Sequence, residues 1–294
     1  SLSTDIKERF NIRVGFLKPE TVEIAKNELR ETPEVREKSI EELRKLLHDA
    51  TDLHYPDDDE FLTIILRPCH WYPQSAMEKL RKIAEFRKTY SSILKGLLAS
   101  DEMSSFVEYN VVNVLANCDH KGRRVLIVNT GALWDPNEVS SDSLFRMFYL
   151  IHIAAQLEPE TQVRGVVTIM DFEGLSMKQV RALTPSFSKR LLTFIQEAMP
   201  LRLKEVHIVK QPFIFNMVWT LFKPFVQAKL NKRMHFHGSD MKSLHQFMDP
   251  AHLPANYGGK LPKIDYTGKD WYPAIEKHED FVRQWGEFGY ATQA

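Results

Sequence analysis

Gly165-Val166-Val167-Thr168-Ile169-Met170, followed at once by Asp171-Phe172-Glu173-Gly174, decides the fold. The first six residues are almost wholly apolar and do not alternate with polar ones. A strand with one wet face alternates. A strand without alternation is covered on both faces, as in a parallel sheet flanked by helices. Residues 204–209 read as a further strand and 234–237 as a short closing one. Helices are expected over 143–157, over 186–199 behind Thr184-Pro185, and over 213–230. Strands alternating with helices imply a mostly parallel sheet with crossover helices. Upstream, strands over 111–117 and 124–129 flank the turn Asp119-His120-Lys121-Gly122, a hairpin. The fold class is α/β.

The first hundred residues lack this alternation and read as a helical domain. A helix over 21–30 follows Pro19-Glu20. Another opens with Thr32 as N-cap and Pro33 in the first turn, carrying Ile40, Leu43, Leu46 and Leu47 on one face. Asp57-Asp58-Asp59-Glu60 suits the positive end of a helix dipole. A long helix is expected over 75–98. The division is 1–100 helical, 101–262 α/β, and 263–294 a tail. That tail, with Trp271, Tyr272, Pro273 and Trp285, is expected to lie on the surface or fray.

The chain has 294 residues, 43 % apolar and 27 % charged, with 39 basic and 39 acidic side chains. A general nucleic-acid binder would be basic, so none is expected as a partner. No run reaches the ~18 apolar residues of a membrane-spanning helix. The N-terminus lacks the basic start and apolar run of a signal peptide. Two cysteines, Cys69 and Cys118, make no disulfide framework. They read as buried free thiols in a reducing compartment. The neutral total hides an asymmetry. Residues 1–60 hold 10 basic against 16 acidic side chains, and residues 200–235 hold 7 against 1. Such a basic stretch is drawn to anionic lipid.

Catalytic patterns are sparse. Neither glycine-rich phosphate loop is present, nor a G-x-S-x-G elbow. Asp171 and Glu173 could form an acid/base pair, but capping of their own loop is the favoured reading. His235, His237 and Asp240 imitate a metal site without a further ligand at zinc-motif spacing, which favours a strand-end pair bonded to backbone. His152 continues the helical stripe Phe145, Phe148, Tyr149. It reads as a core histidine, with a polar anchor in an apolar pocket as the alternative. Residues 213–226 are apolar on nearly every side and contain Pro224, which invites a kink. Either they form a core helix, or they face something apolar on both sides.

An ordered set of blocks carries a resemblance. These are Asp58-Asp59-Glu60-Phe61-Leu62, Asp119-His120-Lys121-Gly122-Arg123, Gly165 through Leu175, Pro200-Leu201-Arg202-Leu203-Lys204 with His207, Lys223-Pro224-Phe225, His237-Gly238 and Tyr257-Gly258-Gly259. Over residues 10–262 the chain resembles the CRAL-TRIO (Sec14-like) lipid-transfer family, above all its tocopherol- and retinaldehyde-binding group. The resemblance implies an N-terminal helical domain on an α/β domain, whose sheet floors an apolar cavity closed by a mobile helical gate at 213–226. It implies no catalysis, metal or cofactor beyond a bound tocopherol-like ligand, and a cytoplasmic protein peripherally attached to membranes. Ligand contacts carry over to Phe145, Phe148, His152, Val166, Met170, Met177, Leu183, Phe194, Ile195, Met199, Val206, Phe222 and Val226. Phosphoinositide contacts carry over to Arg202, Lys204, Lys229 and Arg233. Phe148 and His152 stand where tocopherol-binding relatives carry small hydroxyl residues, a departure that leaves the ligand and its head-group anchor open, with His152 able to take a hydroxyl's place as partner for a phenol, alcohol or aldehyde. The implied activity is transfer of an isoprenoid lipid between membranes. The alternative is Sec14-type exchange or sensing of phospholipid or phosphoinositide.

Overall fold

The computed structural model describes residues 4–291. In chain order the elements begin with helices α1 (Thr4–Phe10), α2 (Pro19–Leu29) and α3 (Pro33–Asp49), then β1 (Leu53–His54). Next come α4 (Asp59–Leu66), α5 (Pro73–Thr89), α6 (Ser91–Leu94) and α7 (Met103–Glu108). The α/β part holds β2 (Val112–Val114), β3 (Arg124–Asn129), α8 (Ser141–Ala155), α9 (Pro159–Arg164), β4 (Val166–Asp171), α10 (Met177–Ala182), α11 (Pro185–Thr193) and β5 (Leu203–Val209). It continues with α12 (Phe215–Phe222), α13 (Ala228–Asn231), β6 (Met234–Gly238) and α14 (Met241–His245). Helices α15 (Gly268–Glu276) and α16 (Glu279–Trp285) and strand β7 (Gly289–Tyr290) end it.

Side-chain caps set several helix starts. Thr32 Oγ1 accepts from the Val35 N–H, Asp58 from Phe61 and Thr184 Oγ1 from Phe187. The expected helix over 75–98 is shorter. It stops at Thr89, a single turn follows, and Gly96 at φ +68° takes the chain out of helical geometry. Ser91 and Ser92 offer the backbone competing hydrogen bonds there, and glycine accepts the left-handed conformation at no steric cost.

The main sheet has the order β2-β3-β4-β5-β6. Only β2 runs antiparallel to its neighbour; the other pairs are parallel. Both faces are covered, as the missing alternation in β4 required. Val125, Ile127, Val167, Ile169 and Val209 pack under Leu244, Met248, Leu253 and Tyr257. Leu126, Val128, Val166, Val206 and Ile208 face the larger core, which runs without a break into the N-terminal helices. Phe86 of α5, for instance, meets Phe145 and Phe194 at ring distances of 6.1 and 5.6 Å.

The tail is not a frayed surface segment. Trp271, Tyr272 and Trp285 are buried. Their indoles donate to Asn113 Oδ1 and Tyr149 Oη at 2.8 and 3.0 Å, and β7 pairs with β1. Gly268 lets α15 approach α7, since a Cβ there would fall 1.9 Å from the Phe106 carbonyl. Three large aromatics hold too much apolar surface to leave in water when a core face is available.

Candidate functional site

Two hollows lie on the α12 side of the sheet. The first is apolar and has two lobes. Its inner lobe is floored by Val128, Thr168, Met170 and Val206 and roofed by Leu144 and Phe148 of α8, Leu183, and Phe187 and Leu191 of α11. The outer lobe lies under Phe215, Val218, Trp219 and Phe222 of α12, with Val226 and Leu230 beyond. Met170, Leu191, Ile195, Val206 and Phe222 line both lobes.

Segment 213–230 is not one helix. Pro224 has no N–H to continue the ladder, so α12 ends at Phe222 and a 3₁₀ turn covers Lys223–Phe225 before α13. α12 turns Phe215 and Val218 inward, while Met217 is 48 % exposed and Phe213, just ahead of it, 89 %. Gln196, in the π-helical turn after α11, ties the segment down. Its Nε2 donates to the Phe225 carbonyl at 2.9 Å, and its Oε1 accepts from the Gln227 N–H at 2.8 Å.

The second hollow is a basic cleft on the other side of that tether. It gathers Arg202, Lys204, Lys229 and Arg233, with Lys79 and His70 from the N-terminal helices, and no acidic side chain lines it. Arg202 and Arg233 are anchored through Nη1 to the carbonyls of Val163 and Leu203, both at 2.5 Å. Glu28 approaches Arg202 only to 3.7 Å. Burial, then the charges of Arg202 and Arg233, pushes Lys204 down from the ordinary lysine range. Burial lowers Lys79, and burial with Arg202, Lys204 and Lys229 lowers His70. Cations crowded this way are relieved by a bound anion. Ile195, Leu203 and Leu230 line the cleft and also the apolar cavity, so the two hollows share a wall.

Of the expected ligand contacts, Phe148, Met170, Leu183, Ile195, Val206, Phe222 and Val226 line the apolar cavity. Phe145 and Phe194 sit in an aromatic cluster with Phe86 and Tyr149. Met177 packs half-buried at the start of α10, and Met199 faces the basic cleft. His152 and Val166 line a different apolar hollow, closed by Trp271, Ala274 and Ile275 of α15. His152 Nδ1 lies 2.7 Å from the Phe148 carbonyl, and burial lowers the imidazole to about 4 against that bond, so the ring is neutral.

Cavity residues outside the expected set include Phe187 and Leu191, which with Ile195 form an i, i+4, i+8 stripe, and Thr168, which shares a strand face with Val166 and Met170. Those periodicities were legible. Lys79 and His70 carry no such signal, being more than a hundred residues from their cleft partners.

Asp171 Oδ1 accepts from the Glu173 N–H and Oδ2 from the Tyr257 hydroxyl, at 3.0 and 2.8 Å, so it caps its own loop. The expected strand-end pair bonded to backbone is instead a side-chain relay. His237 lies 2.8 Å from His207 Nδ1 and 2.6 Å from Ser243 Oγ, while His207 Nε2 meets Glu205. Burial alone would raise Glu205, but His207 and Arg123 outweigh it and hold the carboxyl down to about 2. His235 stacks on Phe247 at 4.0 Å, and Asp240 caps α14. Among the described residues no group of three His, Cys, Asp or Glu could hold a metal ion. Cys69 and Cys118 are free thiols but only half-buried. No helix among these residues is long and apolar enough to cross a membrane.

A covered apolar cavity beside a cationic cleft, on a parallel sheet, defines a binding protein for hydrophobic molecules. The CRAL/TRIO domain model matches residues 108–259. Clavesin-1 of Pongo abelii is 32 % identical over 263 residues, covering 89 % of this chain and 74 % of the relative. Clavesin-2 of Homo sapiens is 32 % identical over 265 residues, covering 90 % and 80 %. The crystal structure of Sfh5 superposes with a TM-score of 0.51 at 15 % identity, covering 84 % of this chain and 98 % of that one, a likeness of fold. The chain belongs to the CRAL/TRIO family of lipid-binding and lipid-transfer proteins.

Proposed function

We propose that this protein carries a small isoprenoid-type lipid between membranes, alpha-tocopherol first and a retinoid or carotenoid next. Phosphoinositide binding in the basic cleft opens the gate formed by α12 and the turn after it. The observation that carries the reading is the shared wall. Ile195 lines cavity and cleft together, and the adjacent Gln196 holds the gate at Phe225 and Gln227. A phosphate drawing Lys229 and Arg233 towards Arg202 and Lys204 would pull on the chain that Gln196 tethers. Opening requires the phosphoinositide to bind the open state more tightly than the closed one.

The carrier logic is hydrophobic. A long hydrocarbon body gains about 0.8 kcal/mol per buried CH₂ on leaving water. The apolar cavity supplies that environment in transit, and exposed Phe213 and Met217 offer the gate a foothold in lipid. Organic extraction and mass analysis of protein purified from its source tests the ligand. An isoprenoid is expected; phospholipid alone would replace this reading with Sec14-type exchange.

The tether makes a second prediction. Gln196→Leu removes two hydrogen bonds to the gate, each worth about 1 kcal/mol net. Ligand transfer to acceptor vesicles lacking phosphoinositide is expected to speed up roughly thirtyfold. A rate equal to the parent's would show that Gln196 does not restrain the gate.

A further inference from the structure

The N-terminal lip of the basic cleft is a strained turn. His70 and Trp71 are successive non-glycine residues in the left-handed region, at φ +54° and +60°. Backbone held there costs energy and persists only where its surroundings fix it. Trp71 is fully buried, its indole N–H donates to Glu31 Oε1 and its carbonyl accepts from Ser39 Oγ, both at 2.8 Å. Arg30 Nη1 donates to the His70 carbonyl at 2.9 Å. None of these bonds uses the imidazole, and His70 stands exposed on the wall of the cleft. The charges that act on it are all positive: Arg30 at the end of α2, Arg202 and Lys204 at the start of β5, and Lys229 of α13. Lys79 of α5 and Arg233, ahead of β6, line the same cleft. The acids on these packed elements are engaged elsewhere. Glu28 of α2 faces Arg202 at 3.7 Å, Glu31 is taken by Arg67 and Trp71, and Glu197 acts on Lys79. The adjacent Cys69 thiol is raised by burial and stays neutral.

We propose that His70 is a proton-coupled contact of the cleft, taking up a proton from solvent when a phosphate headgroup binds and so adding a cation from the N-terminal helices to those of the α/β domain. Headgroup binding is thereby tighter in mildly acidic than in neutral solution. Burial and the surrounding cations push the free imidazole down from the ordinary histidine range, so it is neutral at pH 7. A phosphate ester carries a charge of about −2. Placed among the same cations, it reverses the sign of the local field and favours the imidazolium. A group more protonated in the complex than in the free protein strengthens binding as pH falls through the range between its two titration points. Above that range the ring is neutral in both states and adds nothing to the pH dependence. This assignment rests on the reading of the cleft as the phosphoinositide site.

Phosphate itself titrates at about pH 6, with the opposite sign, so the probe is myo-inositol hexasulfate, whose sulfates stay charged. Titration calorimetry at about pH 7.5 and about pH 5.5 compares the parent with His70→Asn, since asparagine tolerates left-handed backbone, and with His70→Lys. The parent is expected to gain about tenfold in affinity on acidification and, in buffers of different ionisation enthalpy, to take up a proton on binding. His70→Asn should gain less than about twofold and take up none. His70→Lys, charged throughout, should bind at the higher pH as tightly as the parent does at the lower; it also guards against an asparagine variant that fails to fold. A parent without the pH dependence, or a His70→Asn protein that keeps it, overturns the proposal. A parent that binds no hexasulfate overturns the cleft as an anion site, and the proposal with it. Sedimentation with vesicles containing or lacking phosphatidylinositol bisphosphate, at both pH values, separates a lipid headgroup from a soluble phosphate. A His70-dependent response to the sulfate, with both vesicles bound alike, would overturn the phosphoinositide reading and leave the proton-coupled contact standing.

Discussion

Replacing Lys204 and Lys229 together by glutamate is expected to weaken binding to vesicles containing phosphatidylinositol bisphosphate by roughly a thousandfold. The estimate follows from about 1 kcal/mol per cation near an anionic surface and a change of four charges. These two lysines are the clean choice. Arg202 and Arg233 also donate to the Val163 and Leu203 carbonyls, so altering them removes structural bonds along with charge. Neither lysine lines the apolar cavity, so ligand held there should be retained. Vesicle sedimentation with and without the headgroup, together with extraction of the variant, checks both parts. Undiminished vesicle binding would remove the cleft from the mechanism, and loss of ligand along with lipid binding would contradict separate sites. Raising the salt concentration should weaken the parent more than the variant, because the term being measured is screened.

The second large effect concerns stability. Arg67 is buried at the end of α4, where Nε donates to Glu31 Oε1 at 2.8 Å and Nη1 to Gln162 Oε1 of α9 at 2.8 Å. The Trp71 indole donates to the same Glu31 oxygen at 2.8 Å. Arg67→Met would leave the buried Glu31 carboxylate with only the half-exposed Arg36, at 4.0 Å, as a cation. A loss of about 3–5 kcal/mol in unfolding free energy is expected. Adding Glu31→Gln should recover part of it, because the amide still accepts from Trp71 and carries no charge. Denaturant unfolding of both variants checks this, and a cost below about 1 kcal/mol for the single change would mean that the pair is not buried in solution. The same network ties the N-terminal helices to α9, beside the carbonyl of Val163 that anchors Arg202. The firmness of the basic cleft thus depends on residues far from it in sequence.

Several errors of sequence reading share one cause. Trp271 and Trp285 look like a dispensable tail until β7 is seen beside β1 and their indoles on Asn113 and Tyr149. His235 and His237 share a strand face by periodicity, but their partner His207 comes from the neighbouring strand. His152 belongs to the same helical stripe as Phe148, yet one turn further along α8 it lies over a different hollow. Periodicity assigns a face. It does not say which of two cavities that face covers.

Local patterns alone determined the strand covered on both faces, the helices begun at Thr32, Asp58 and Thr184, the break at Pro224 and the basic run around the proposed gate. Each depends on neighbours within a few residues: dihedral restriction, capping, or an apolar period. The tertiary structure alone decided that Lys79 and His70 join Lys229 in one cleft and that Gln196 ties cavity to cleft. Those are facts of long-range packing. A lysine in a sequence carries no sign of which distant cations will stand beside it, and only the folded chain brings them to one cleft.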